Sequence, residues 1–321
     1  MIRNESYATQ LNVKYTQNLL NIDFLYINLN ILLTELINVN TDSSVIETLL
    51  ITNIKWLLNK WNPSKLVYIT LDGTLDDVEF FNNVNNIVEN FIHNTKSVKI
   101  LYSSHNSPSE SINKIIIYIK KNYIKYQIHA IYGYSDELLL FLFTLSNKHL
   151  YIIDNTHGVL DVNTVKNDIL SRFDKNIETI YTGDVLFIKN VIALFVLLGN
   201  KYIPSLYNIY PELDKILFIY TSFLKQYHVY IITENTIDST IHSLSIDKHL
   251  LYKFLLLYQE YFHLNKILHN TCQQQHVVSS KDYMIHYEKV LLYIFYNIIN
   301  KSSLHLDKGP SIDQLSTYLK Q

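Results

Sequence analysis

The stretch "VKILYSSHNSPSESINKIIIYIKKNYIKYQIHAIYG" (Val98–Gly133) decides the fold. It opens on a short apolar run, "VKILYS" (Val98–Ser103), which reads as a strand. "PSESINKIIIYIKK" (Pro108–Lys121) then reads as a helix, with proline at its start and lysines at its end, as the helix dipole favours. "QIHAIYG" (Gln127–Gly133) is a second strand, stopped by a glycine. Two strands joined by a helix make a crossover unit, the building block of a parallel sheet.

The same alternation runs outward on both sides. Upstream, "FLYINL" (Phe24–Leu29) is a nearly continuous apolar run, as a strand buried on both faces would be. The helix after it takes Thr41 or Asp42 as its cap, places Val45, Leu49 and Trp56 on one face, and ends at Trp61 before Pro63. "KLVYITLDG" (Lys65–Gly73) is a strand, and residues 77–93 read as a helix. Downstream, "DELLLFLFTL" (Asp136–Leu145) is a helix and "HLYIID" (His149–Asp154) a strand. The expected fold class is α/β: a mainly parallel central sheet with helices on both faces, followed by a largely helical C-terminal half. That half offers helices at 162–172, 183–199, 209–226, 246–268 and 279–300, with a short strand at "HVYIIT" (His228–Thr233). The expected organisation is an α/β core over 1–160, a helical half packed on it over 161–301, and a polar tail over 302–321.

Composition narrows the function classes. The chain has 321 residues, 48% of them hydrophobic and 17% charged, which is ample for a buried core and unlike a disordered chain. A net charge of −2 supplies no global basic field for a phosphate backbone. Arg3 and Arg172 are the only arginines, so bidentate Arg–phosphate forks are nearly absent. Cys272 stands alone, which excludes a disulfide partner and a cysteine-rich zinc site. The N-terminus "MIRNESYATQ" has no apolar signal core, and the longest apolar runs, Leu138–Leu145 and Val191–Gly199, fall short of a bilayer span. The expectation is a cytoplasmic protein without a membrane partner.

In open α/β sheets, ligands collect beyond the carboxyl ends of the strands. Asp72 after the second strand, Glu110 at the helix after the third, and Asp136/Glu137 after the fourth would stand there. Carboxylates brought to one edge from distant segments are what two-metal phosphoryl chemistry needs. Acidic residues at strand ends and helix starts are also common for purely structural reasons.

The ordered set "FLYINLNILL", "KLVYITLDG", "SSHNSPSESINKIIIYI", "IHAIYGYSDELLLFLFT" and "LLGNKYIPSL" resembles the N-terminal nuclease core of the XRN family of 5′→3′ exoribonucleases. That family has a PIN/flap-nuclease-like fold. The match covers about residues 23–230. The resemblance implies a set of Mg²⁺-binding carboxylates, which this chain keeps only in part. The aspartate of the first strand falls on Asn28. That of the second survives as Asp72. Of the two glutamates opening the next helix, the first is Glu110 and the second has become Ile112. The lysine of that segment is kept as Lys114, a substrate-binding candidate. Of the two aspartates after the fourth strand, the first falls on Ser135 and the second on Glu137, with Asp136 displaced by one residue. The aspartate of the family's "GND" segment has become Lys201.

Replacing four carboxylates and adding Lys201 removes about five units of negative charge from a place where two divalent cations would repel each other. The family's basic 5′-phosphate run corresponds to "TLDDVEFFNNVNNIVENF" (Thr74–Phe91), which holds Asp76, Asp77, Glu79 and Glu89 and no basic residue. Its base-stacking histidine falls on Thr34. The resemblance, read this way, implies a degenerate exoribonuclease homologue: Mg²⁺ weakly held or absent, Asp72, Glu110 and Glu137 vestigial catalytic residues, and a role as an RNA-binding module or as part of a protein assembly. The alternative is an active, diverged enzyme acting on single-stranded RNA. There Asp72 and Glu110 hold one Mg²⁺, and Asp136 or Glu137 orients the water.

Other candidates read more simply. None of His105, His129 and His157 lies four residues from another histidine, and His129 in its apolar strand reads as a core residue. "YIKKNYIKY" (Tyr118–Tyr126) is basic and aromatic; it reads as a solvated helix end, with an RNA contact as the lesser reading.

Overall fold

The computed structural model describes residues 7–11, 14–16, 21–39, 43–73, 78–122, 124, 126–145, 149–173, 185–200, 202–206, 212–237, 241–262, 279–296, 310 and 312–320. The chain divides into two compact units, Lys14–Thr164 and Met1–Val13 with Val165–Gln321. The second unit opens with a one-turn helix, α1 (Tyr7–Gln10).

The first unit is built on β1 (Phe24–Asn28), α2 (Leu29–Val39), α3 (Ser43–Trp61), β2 (Leu66–Thr70), α4 (Val78–Asn94), β3 (Lys99–Ser103), α5 (Ser111–Lys121), β4 (His129–Tyr132), α6 (Asp136–Phe143), β5 (Leu150–Asp154) and β6 (Gly158–Asp161). The sheet order is β3-β2-β1-β4-β5-β6. β1 to β5 are parallel, with Phe24 level with Leu66 on one side and His129 on the other. All five residues of β1 are buried, because it lies mid-sheet with helices on both sides.

Leu25, Ile27, Val67, Ile69 and Tyr132 point to one face and share a core with Leu33 of α2, Leu50, Ile54 and Leu57 of α3, and Val84 and Val88 of α4. On the other face Tyr26 and Tyr68 meet Tyr118 of α5, with ring centroids 6.2 and 4.8 Å away. The chain leaves β1 toward β2 and β3, then returns to β4 on β1's other side. This reversal opens the crevice in which α/β sheets bind ligands, beyond the carboxyl ends of β1 and β4.

Several expectations needed correction. Val45 and Trp56 do not face the core: they are 39% and 45% exposed, and the buried stripe of α3 is Ile46, Leu50, Ile54, Leu57 and Trp61. The helix is apolar over most of its circumference, so its pattern offers two stripes. α5 starts at Ser111 rather than at Pro108. Ser109 has φ of 95° and Glu110 is extended, so neither joins the helix. α2 and the antiparallel β6 were not anticipated. β6 pairs back on β5 through a tight turn in which Gly158 takes φ of 112°. The capping expectation at Thr41 and Asp42, like Cys272, lies outside the described residues.

The second unit continues with α7 (Val162–Ser171, which begins at the boundary), α8 (Val185–Val196), α9 (Leu213–Tyr227), β7 (Ile232–Ile237), β8 (Ile241–Ile246), α10 (Lys248–Tyr261), α11 (Ser280–Tyr296) and α12 (Ile312–Leu319). The strand expected at 228–233 instead begins at Ile232 and forms an antiparallel hairpin with β8. His228 closes α9 in the left-handed conformation, which holds the start of that segment out of the strand. Asn190 of α8 anchors the hairpin: its side chain accepts from Ile232 N at 2.9 Å and donates to Ile232 O at 3.1 Å. Lys189 beside it is ion-paired with Glu234. The segment read as a polar tail carries α12, with Leu315 and Leu319 buried. No helix among the described residues is long and apolar enough to cross a membrane.

Candidate functional site

Three helices, α2, α5 and α6, begin at the carboxyl edge of the sheet, each the next element after β1, β3 and β4 respectively. Each leaves backbone N–H groups without an intrahelical partner and carries a partial positive charge at its start. The polar residues of the edge answer those needs.

Asn28 ends β1 and stands just before α2, where its Oδ1 accepts from Asn30 N at 3.1 Å. Ser135 occupies the corresponding place before α6, and its Oγ accepts from Leu138 N at 3.1 Å. Glu110 is the residue before α5, but its side chain makes no cap bond there. Asp72 takes that role from across the edge, its Oδ1 accepting from Ser111 N at 2.6 Å. Asp72 is held in turn: its own N–H donates to Asn30 Oδ1 at 2.9 Å. Ser111 Oγ lies 2.5 Å from Thr70 Oγ1 and donates to Thr70 O at 3.1 Å, tying α5 to the end of β2.

Lys114 lies one turn into α5 and is buried. Its ammonium donates to Leu71 O at 2.5 Å and Ser104 O at 2.8 Å, joining the loops that leave β2 and β3. Burial lowers its pKa from 10.5 to about 8, against the opposing pull of the Asp72 carboxylate. Gly73 is packed so closely that an added Cβ would lie 2.2 Å from Ser107 O.

Of the other expected residues, Glu110 and Ile112 are buried, while Asp136 and Glu137 are partly buried in the first turn of α6. Asp136 accepts from Tyr134 OH at 2.6 Å. The Tyr15 pKa is pushed up to about 12, first by burial and then by the charges of Asp154 and Asp136. Thr34 is exposed and donates to Asn30 O at 2.7 Å. Glu79 and Glu89 are exposed on α4. Lys201, Asp76 and Asp77 lie outside the described residues.

Among the histidines, His129 is a core residue, with Nδ1 2.9 Å from Tyr26 OH; burial lowers its pKa to about 4. His105 Nδ1 lies 2.5 Å from Asn85 Nδ2, and His157 Nδ1 lies 3.0 Å from Asp154 Oδ1. Asn30 was missed by sequence reading. Its signal was an asparagine two residues after another at a strand–helix junction, where such side chains bond to local backbone.

These residues do not fit a two-metal centre. Among the described residues, no three His, Cys, Asp or Glu side chains converge closely enough to hold a metal ion. The groups whose bonds are described at the edge include a capping carboxylate, a capping amide, a capping hydroxyl and an ammonium; the carboxylates of Glu110, Asp136 and Glu137 stand at the same edge.

The fold and the edge define a doubly wound α/β protein whose switch-point crevice is lined by helix caps. No family model matches the chain, and no curated protein does. Among solved structures it is similar to the catalytic core of Rad2 in complex with DNA substrate, at 10% identity and a TM-score of 0.47, over 97% of this chain and 89% of that one. It is also similar to a point mutant of T5 5′-exonuclease, at 11% identity and a TM-score of 0.36, over 85% of this chain and 98% of that one.

Proposed function

We propose that this chain is a nuclease-fold protein of the XRN type whose metal centre has decayed, and that it serves as a non-catalytic binding or scaffolding module. The ordered motifs of the sequence and the switch point between β1 and β4 support the nuclease-fold part of this reading. The observation that carries the non-catalytic part is the occupation of Asp72. Its carboxylate caps α5, while Asn28 and Ser135, at two further acidic positions of the resemblance, cap α2 and α6. In-line phosphoryl displacement on a metal pair needs several anionic oxygens directed at the ions. Here three of those positions, Asp72, Asn28 and Ser135, bond to the first turns of helices, and two of the three carry no charge.

A second reading, a diverged Mg²⁺-dependent 5′→3′ exoribonuclease, is favoured by the four carboxylates that remain on this edge, Asp72, Glu110, Asp136 and Glu137. The two separate in one assay. 5′-Monophosphorylated single-stranded RNA is incubated with the protein and Mg²⁺ or Mn²⁺, beside an Asp72→Ala/Glu110→Ala control. The proposal expects no loss of RNA in either. Degradation by the parent and not by the control would establish the second reading.

A further inference from the structure

The outward face of α3 carries an aromatic and basic surface that neither reading uses. Trp56 is 45% exposed, and Val45 on the same line of the helix is 39% exposed. Thr52, Lys55, Asn59 and Lys60 surround the indole, and these five polar and aromatic side chains line an open depression of about 540 Å³. Lys60 Nζ sits 4.5 Å from the centroid of Trp56 and 5.0 Å from that of the buried Trp61. The ammonium thus lies within cation–π range of both rings.

The charges that α3 itself contributes to this face have one sign. At 3.6 residues per turn, Lys60 lies roughly 40° and Lys55 roughly 100° from Trp56 around the helix. Glu47 is the only acidic residue of α3, and it lies roughly 180° away. A chain of net charge −2 has therefore placed two lysines and no α3 carboxylate around its one exposed tryptophan among the described residues.

From this juxtaposition we infer that the Trp56–Lys55–Lys60 face of α3 binds single-stranded nucleic acid. A half-exposed indole offers a π surface that a planar base covers well once the Lys60 ammonium turns from the ring to a phosphate, and Lys55 offers a second point charge. Asn59 and Thr52 add polar groups within the same depression. A duplex keeps its base faces stacked on each other and has none to offer except at its ends. An acidic peptide would satisfy the lysines but leave the indole without a planar partner. With lysines and no arginine on the face, binding is by charge and stacking, tolerant of sequence. The inference stands apart from the question of nuclease activity, because none of these residues belongs to the carboxyl edge of the sheet.

The test uses the full chain and a uridine 12-mer. Trp56 and Trp61 are the only tryptophans, and Trp61 is buried, so stacking is read directly as quenching of Trp56 fluorescence. Trp56→Ala should weaken binding of a labelled 12-mer, measured by polarisation, by about tenfold or more, as loss of one base stack predicts. Lys55→Gln/Lys60→Gln should flatten the slope of log K against log salt by about 1.4, two single-strand phosphate contacts' worth. Circular dichroism matching the parent shows that the variants fold; both sites are exposed. Four results would overturn the inference: no quenching at low salt; equal affinity for the Trp56→Ala variant; equal quenching by poly-glutamate; or self-association of the parent that Trp56→Ala abolishes, which would make the face a contact between copies.

Discussion

Asp72→Ala separates a helix cap from a metal ligand. In this structure the Asp72 carboxylate accepts from Ser111 N at 2.6 Å, and Glu110 before α5 makes no cap bond of its own. Removing the acceptor leaves the first N–H of α5 without its protein partner and withdraws a negative charge from the positive end of the helix. Loss of an N-terminal cap costs about 0.5–2 kcal/mol, and the charge–dipole part of that interaction is about 0.3–1 kcal/mol. The two descriptions overlap, so about 1.5 kcal/mol is expected in all. At about 1.4 kcal/mol per decade, local opening of α5 becomes about tenfold more frequent. Hydrogen exchange read on peptides covering residues 111–121, in EDTA, should show that acceleration. Asp72→Asn, which keeps an acceptor and loses the charge, should fall between the parent and the alanine variant. A ligand carboxylate deprived of its cation behaves oppositely. Grouped with other carboxylates and lacking Mg²⁺, it destabilises the fold by repulsion, so its removal is neutral or stabilising. Unchanged or slower exchange in Asp72→Ala, with an effect emerging only when Mg²⁺ is added, would refute the capping account.

Three further outcomes follow from the same geometry. Lys114 has a folded pKa of about 8 against 10.5 unfolded, so the unfolded chain binds more protons in between and stability should rise with pH across that window. The parent minus Lys114→Met difference in unfolding free energy should climb by up to about 1.36 kcal/mol per unit from pH 8 to 10, and a flat difference would place the ammonium in water. His129, held near pKa 4, is neutral in the fold, so its contribution should be complete above pH 6.5 and lost as pH falls toward 4, by about 3 kcal/mol at most; comparison with His129→Gln isolates it from the carboxylates. Gly73→Ala should destabilise the first unit by about 1–3 kcal/mol in thermal unfolding, because the new Cβ meets backbone at Ser107 O that cannot rotate away.

The five parallel strands and most helices of the first unit were legible because a parallel sheet buried on both faces writes itself as short apolar runs separated by helices. What failed, failed for local reasons. Val45, Leu49 and Trp56 share a face of α3 by spacing alone, and nothing in the pattern said that a second stripe, Ile46, Leu50, Ile54, Leu57 and Trp61, would win the core. α2 was hidden because it leaves β1 without a turn, with Asn28 serving both as the last strand residue and as the cap. β6 and β8 are edge and hairpin strands, whose pairing depends on turns rather than on a run of apolar residues. At the carboxyl edge, the resemblance gave the positions expected to have lost a carboxylate, Asn28, Ile112, Ser135 and Lys201. It could not say what Asp72 does, because a trans cap joins residues 39 positions apart and depends on how β2 and α5 meet in space.

The most direct measurement of the central claim is anomalous scattering from crystals soaked in Mn²⁺. A carboxyl edge built of helix caps predicts no pair of cations there. Two well-occupied ions bridged by Asp72, Glu110, Asp136 and Glu137 would contradict it.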